Sequence, residues 1–147
     1  MEERLQKAIE LATEAHKGQT DRAGKPYIGH VTRVMQAGKT LEERMAGVLH
    51  DIVEDTPWTF EDLLREGIPA DVVDAVRCLT KIENESYDRF IERVKTNPTA
   101  IAVKLNDLRD NMDVTRLPAI SDKDVERLRK YHRAYSELSK LQAGLPM

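Results

Sequence analysis

Apolar residues recur every three to four positions along most of the chain, the period of an amphipathic helix. From about Glu3 to Lys17, Leu5, Ala8, Ile9, Ala12 and Ala15 form one such stripe. Gly18, Asp21, Gly24 and Pro26 then mark a loop. A second helix is predicted from near Tyr27 to Gly38, carrying His30, Val31, Val34 and Met35. Thr40 and Glu43 have the spacing of a capping box, in which each side chain satisfies a backbone N–H left free at a helix start. The third helix is predicted to run unbroken from Leu41 through Met45, Val48, Leu49 and Ile52 to about Glu54. Pro57 ends it. Thr59 is placed to cap a short helix that stops at Gly67, and Pro69 suits the first turn of the next. Val72, Val73, Val76 and Leu79 are the buried face there. Ser86 opens a helix through Phe90, Ile91 and Val94. Another spans Thr99 to about Asn111, with Ile101, Ala102, Leu105 and Leu108 inward, and Ser121 with Asp124 caps a last one to about Leu141. No stretch alternates as a strand does, and no repeat or linker interrupts the pattern. The expected fold is an all-α bundle of about six to eight helices, a single domain over residues 1–147.

Composition narrows the function classes. Of the 147 residues 40% are hydrophobic, enough for a core, while 33% are charged, which favours solubility. The 23 Lys and Arg against 26 Asp and Glu lack the basic surplus of a general nucleic-acid binder. No apolar run approaches the ~20 residues that span a bilayer. The start, Met1-Glu2-Glu3-Arg4, is unlike a secretory signal peptide. Cys78, alone, excludes an internal disulfide framework and points to a reducing compartment; its helical setting reads as a packed small residue. The expectation is a cytoplasmic protein with no membrane or nucleic-acid partner, its oligomeric state left open.

The histidines and acids carry the chemistry. His50-Asp51 lies among Val48, Leu49, Ile52 and Val53, and Glu54-Asp55 follow one turn later. On one continuous helix, His50 stacks over Glu54, and Asp51 over Glu54 and Asp55. Three carboxylates framed by aliphatic residues repel one another unless a cation or protons compensate. Their place at a helix C-terminus, where the dipole disfavours negative charge, sharpens the conflict. A solvated acidic helix end is the plain alternative. Lys104, Asp107 and Asn111 form a polar stripe on a helix of Ile, Val and Leu; it faces either water or the His50-Asp51 pair. His30 sits among apolar neighbours and alone would be a packed histidine. His16 reads as a helix-end residue supporting the loop, Trp58 as a packing anchor, and the charged run Glu126 to Arg133, with His132, as a solvated face.

Together, His30, His50-Asp51 and Asp107 resemble the H…HD…D pattern of the HD phosphohydrolase superfamily, which implies an HD-domain helical bundle. Two imidazoles and two carboxylates suit a borderline divalent ion such as Mn²⁺, Fe²⁺, Co²⁺ or Zn²⁺. No histidine lies between Ile52 and Asn106, where dinuclear members need more, so one metal ion is expected. The likeness extends further. Ala15-His16-Lys17-Gly18-Gln19 and Gly24-Lys25-Pro26-Tyr27-Ile28-Gly29-His30 resemble the opening of RelA/SpoT-type alarmone hydrolase domains. Leu49-His50-Asp51-Ile52-Val53-Glu54-Asp55-Thr56 is similar to their LHDxVEDT motif, and Val103-Lys104-Leu105-Asn106-Asp107 through Met112 to their VKLADRxxNM segment.

That resemblance implies a metal-dependent phosphohydrolase, with removal of the 3′-pyrophosphate of (p)ppGpp as the best case. His30, His50, Asp51 and Asp107 match the ligands of the metal, usually Mn²⁺. Glu54 and Asp55 match the acidic pair beside the reacting water. Asn111 matches a contact to sugar or phosphate, Arg22 falls where a cation approaches the nucleotide, and Lys25 is assigned to phosphate with them. Two positions depart: Asp21 and Asp113 stand where the family often has Arg. A stacking or bidentate Arg is not replaced by Asp. Another small phosphorylated substrate therefore stays open, as does a nucleotide-binding regulatory module without turnover.

Overall fold

A computed structural model describes residues 2–144; Met1, at the head of the acidic start, and residues 145–147 lie outside it. The described residues fold into α1 (Glu2–Ala15), α2 (Ile28–Ala37), α3 (Leu41–Leu49), α4 (Ile52–Asp55), α5 (Phe60–Arg65), α6 (Ala70–Cys78), α7 (Tyr87–Val94), α8 (Pro98–Asn111), a 3₁₀ turn (Val114–Arg116) and α9 (Asp122–Gln142). Among them there is no strand, only one isolated bridge between Thr20 and Pro26 that closes the loop after α1. The caps read from the sequence operate. Thr59 with Asp62 and Ser121 with Asp124 are reciprocal boxes, and Ser86 accepts from the Arg89 N–H. At α3 the box is only half made: Thr40 accepts from the Glu43 N–H, but Glu43 reaches back to Lys39.

α3 is the hub, packing on α1, α2, α6 and α8, and α8 in turn touches α7 and α9. Apolar stripes of these helices meet in one core that includes Ala8, Val31, Val34, Leu49, Ile52, Val72, Val76, Leu105 and Leu138. The α2–α3 contact is close because of Gly47. A Cβ there would stand 3.2 Å from both Cα and N of Met35, so any larger residue would push the two backbones a few tenths of an ångström apart.

The helix expected from Leu41 to Glu54 is broken. α3 stops at Leu49, Asp51 takes φ −105° and ψ 0°, and a separate short α4 follows. The Gly47 carbonyl, which in an unbroken helix belongs to the Asp51 N–H, accepts instead from His50 Nδ1 at 2.6 Å. Glu54 and Asp55 therefore stand in the first turn of α4, and the argument from the C-terminal dipole of a long helix does not apply to them. With this break the described residues form nine α-helices, where about six to eight were expected.

Candidate metal centre and its cleft

Four side chains from three parts of the fold meet in the interior. His30 comes from the first turn of α2, His50 and Asp51 from the break after α3, and Asp107 from the middle of α8. Asp107 Oδ1 lies 2.9 Å from His30 Nε2 and 3.2 Å from His50 Nε2. Asp51 Oδ2 is 3.1 Å from His50 Nε2 and 3.8 Å from His30 Nε2. His30, His50 and Asp107 are each less than 5% exposed. Their close approach follows from helix packing: the tight α2–α3 contact sets the two imidazole centroids 5.4 Å apart.

Partners behind these groups aim them. His50 Nδ1 is engaged by the Gly47 carbonyl and His30 Nδ1 by Asp110 Oδ2, each at 2.6 Å. Carbonyl and carboxylate only accept, so both Nδ1 atoms carry hydrogen and both Nε2 atoms face inward. Lys104 Nζ donates to Asp107 Oδ2 at 2.9 Å and Asn111 Nδ2 to Asp107 Oδ1 at 3.0 Å. The Tyr27 hydroxyl donates to Asp51 Oδ2.

The electrostatics favour positive charge between these groups. Burial opposes charge on His30, but hydrogen bonds to Asp107 and Asp110 outweigh it and raise its pKa. Burial likewise opposes charge on His50, yet Asp51 and Asp107 lift it well above the usual histidine value. Asp107 is pushed up by burial and pulled further down by Lys104 and His50, ending well below the carboxylate range. Two buried carboxylates facing two imidazoles are satisfied by protons on the rings or by one divalent cation in their place. Nitrogens of His30 and His50 and an oxygen of Asp107 lie within 4.8 Å of one another and fit such an ion, with Asp51 Oδ2 beside them 3.1 Å from His50 Nε2.

This centre is the floor of a cleft lined by Thr20, Arg22, Glu54, Lys81, Lys130 and Tyr131 among others. Glu54 and Asp55 stand at its lip. Glu54 Oε1 accepts the Lys81 backbone N–H at 2.8 Å, and the Asp55 carbonyl accepts from Gln19 Nε2 at 3.0 Å. Burial, then the Asp51 and Glu54 charges, raise Asp55 to about 6, which makes it a better proton acceptor near neutrality than an ordinary aspartate. Arg22 and Asn111 line the cleft as expected; Lys25 does not. Lys25 is exposed on the same loop, where its backbone N–H donates to Asp21 Oδ1.

Asp21 and Asp113, the two departures, each hold a turn. Asp21 Oδ1 accepts from the Ala23 and Lys25 N–H groups. Asp113 accepts from the Thr115 N–H and pairs with Arg116 at 3.0 Å. His16 supports the loop as read: it is buried, and its Nδ1 lies 2.8 Å from Gln19 Oε1. Trp58 and Cys78 pack half-buried against the core. The run Glu126 to Arg133 is a solvated face only in part. His132 is exposed, whereas Lys130 is half-buried in the cleft with its Nζ 4.6 Å from the Tyr87 ring centre. Sequence reasoning missed Lys130, Tyr27 and Asp110 as site residues. The signal for two of them was helical spacing: Tyr27 precedes His30 by three, and Asp110 follows Asp107 by three.

Among the described residues no helix is long and apolar enough to cross a membrane. The HD-domain family model matches residues 8–134. The bifunctional (p)ppGpp synthase/hydrolase SpoT of Escherichia coli K12 is 33% identical over 123 residues, which are 74% of this chain and 18% of SpoT. A guanosine-3′,5′-bis(diphosphate) 3′-pyrophosphohydrolase of Aquifex aeolicus is 33% identical over 122 residues, covering 75% of this chain and 17% of the relative. A GTP pyrophosphokinase of Streptomyces coelicolor is 32% identical over 124 residues, 76% of this chain and 15% of that protein. The chain thus spans less than a fifth of the length of these relatives. A solved structure described as a metazoan ortholog of SpoT that hydrolyzes ppGpp aligns with a TM-score of 0.77 at 23% identity. The alignment covers 97% of this chain and 91% of that one and shows a shared fold.

Proposed function

The chain belongs to the HD-domain family, and from that premise we propose a metal-dependent phosphohydrolase that removes the 3′-pyrophosphate of (p)ppGpp. The observation that carries this reading is the convergence of His30, His50, Asp51 and Asp107, the last three of which line a cleft walled by Arg22, Lys81 and Lys130. The names of relatives that hydrolyse (p)ppGpp support it. A divalent ion held there, assigned as Mn²⁺, would lower the pKa of a water and neutralise charge on a phosphate. The rest falls to the protein. Glu54 and Asp55 orient the attacking water, and Asp55 takes its proton. Arg22 and Asn111 hold the remaining phosphates and ribose, and Lys25, outside the cleft lining, meets a phosphate that projects toward solvent. Lys104 keeps Asp107 ionised and in place. The partner is a small nucleotide, not nucleic acid or membrane, and the compartment is the cytoplasm.

A second reading is favoured by Asp21 and Asp113: hydrolysis of another small phosphorylated compound that tolerates acids where alarmone hydrolases often have Arg. A regulatory module that binds nucleotide without turnover is the third, and the intact Glu54-Asp55 pair speaks against it. Purified protein incubated with Mn²⁺ and separately with ppGpp, NTPs, dNMPs and NADPH, with products resolved, separates the three. Pyrophosphate released from ppGpp is expected. Turnover of only another compound overturns the first reading, and binding without products overturns both hydrolase readings.

A further inference from the structure

Asp110 on α8 has no part in the reaction proposed above, yet His30, Arg33 and Arg116 all converge on its carboxylate. Its Oδ2 accepts from His30 Nδ1 at 2.6 Å. Arg33, one turn along α2 from His30, grips the same carboxylate with two donors, Nε to Oδ1 at 2.7 Å and Nη2 to Oδ2 at 3.1 Å. Arg116, from the 3₁₀ turn, approaches Oδ1 at 3.4 Å and donates to the Asp110 carbonyl at 3.0 Å. Arg116 is held from its other side by Asp113. One carboxylate with an 11% exposed side chain thus ties α2, α8 and the following turn together at the back of the imidazole. Both acids that departed from the family pattern add favourable charge around Arg33. Asp21 also lines the cleft, so its charge reaches both sides of the centre.

We infer that Asp110 is a positioning residue for the metal centre, fixing the Nδ1–H tautomer and ring angle of His30 while Arg33 and Arg116 keep its carboxylate aimed. The physics is that of a carboxylate behind a liganding histidine. The carboxylate accepts only, so the proton must sit on Nδ1, and Nε2 is the atom left to bind. Arg33 matters because it is planar and bidentate: it fixes the carboxylate plane as well as its charge. Asp107, the neighbour one turn before Asp110, faces the metal side of the same ring, so α8 holds His30 from both edges.

The inference rests on the metal-centre reading, and the test separates the two. Mn²⁺ affinity is measured by calorimetry, without substrate, for the unaltered protein, His30→Ala, Asp110→Ala and Asp110→Asn. The visible absorption of the Co²⁺-loaded proteins is recorded alongside. Asp110→Ala is expected to weaken Mn²⁺ about 10–100-fold and to alter the Co²⁺ spectrum, while the chelated variant keeps its helical circular dichroism. Asp110→Asn retains an acceptor oxygen but no charge and should fall between. Should Asp110→Ala fail to fold, the isosteric Asn variant carries the test. If both Asp110 variants bind like the unaltered protein while His30→Ala does not, the inference is overturned and the metal centre stands. If the unaltered protein and His30→Ala bind alike, the metal centre itself is overturned, and the inference with it.

Discussion

Lys104→Met isolates one charge in the interior. Lys104 is 9% exposed, and its Nζ donates to Asp107 Oδ2 at 2.9 Å. Burial alone would push the Lys104 pKa down, but Asp107 and Tyr87 more than reverse this, so the ammonium stays charged. Methionine keeps most of the aliphatic stem and removes the charge, so the packing loss is small. What remains is a buried carboxylate without its cation. Breaking such a pair from one side costs about 3–5 kcal/mol. Asp107 still accepts from His30, His50 and Asn111, so the lower end applies, about 3 kcal/mol against a total of roughly 5–15. For a chain of this length that is a drop of about 6–12 °C in Tm. The assay is urea unfolding at neutral pH with chelator, run also in an Asp107→Asn background, where the cost of Lys104→Met should shrink. Saturating Mn²⁺ should narrow the gap too, because the ion brings positive charge to the same carboxylate. A loss below about 1 kcal/mol, as for an exposed pair, or the same loss with Asn at 107, would refute the argument.

Gly47→Ala places a methyl against the α2 backbone at 3.2 Å. The overpacking cost of about 1–3 kcal/mol should exceed the ~1 kcal/mol gain in helix propensity. Destabilisation and weaker Mn²⁺ binding are expected by denaturation and calorimetry, and a stabilised variant would show that α2 simply yields. Lys130→Ala should raise KM for the phosphorylated substrate about tenfold, roughly 1.4 kcal/mol, with kcat little changed; an unaltered KM would remove Lys130 from substrate binding. Glu85, hydrogen-bonded by Arg93, which also grips the Thr80 carbonyl in the loop bearing Lys81, is held down at about 2. Its contribution is complete above the ordinary carboxyl value and lost as pH falls toward 2. Glu85→Gln should therefore flatten the acid limb of the stability–pH curve, and an unchanged slope would contradict the pairing.

Most of the fold was legible because its signals are local. Helical period, the Thr59 and Ser121 caps, and Pro57 each act within one or two turns, so the chain displays them without folding. The site was legible where its residues share a motif: His50-Asp51 and Glu54-Asp55 are neighbours in sequence and in space. It was illegible where a backbone carbonyl intervened. Nothing in the run Leu41 to Glu54 announces that the Gly47 carbonyl turns to His50 Nδ1, and an uninterrupted apolar pattern reads as an uninterrupted helix. Lys130 was hidden for a related reason. A charged stripe on α9 looks the same whether it faces water or a cleft, and only the packing of α9 on α8 sends one lysine inward.

The sequence by itself determined that the chain is helical, where its helices are capped, and which histidines and acids are out of place among apolar neighbours. These follow from propensity, periodicity and charge, all local quantities. Only the tertiary structure decided that His30 and Asp107, 77 positions apart, come within 2.9 Å of each other, and that Asp110 and Arg33 close behind them. Spacing along a helix specifies a direction around its axis but not the distance to another helix. That distance was set by a glycine at the α2–α3 contact and by the buried apolar faces that hold α8 against α3.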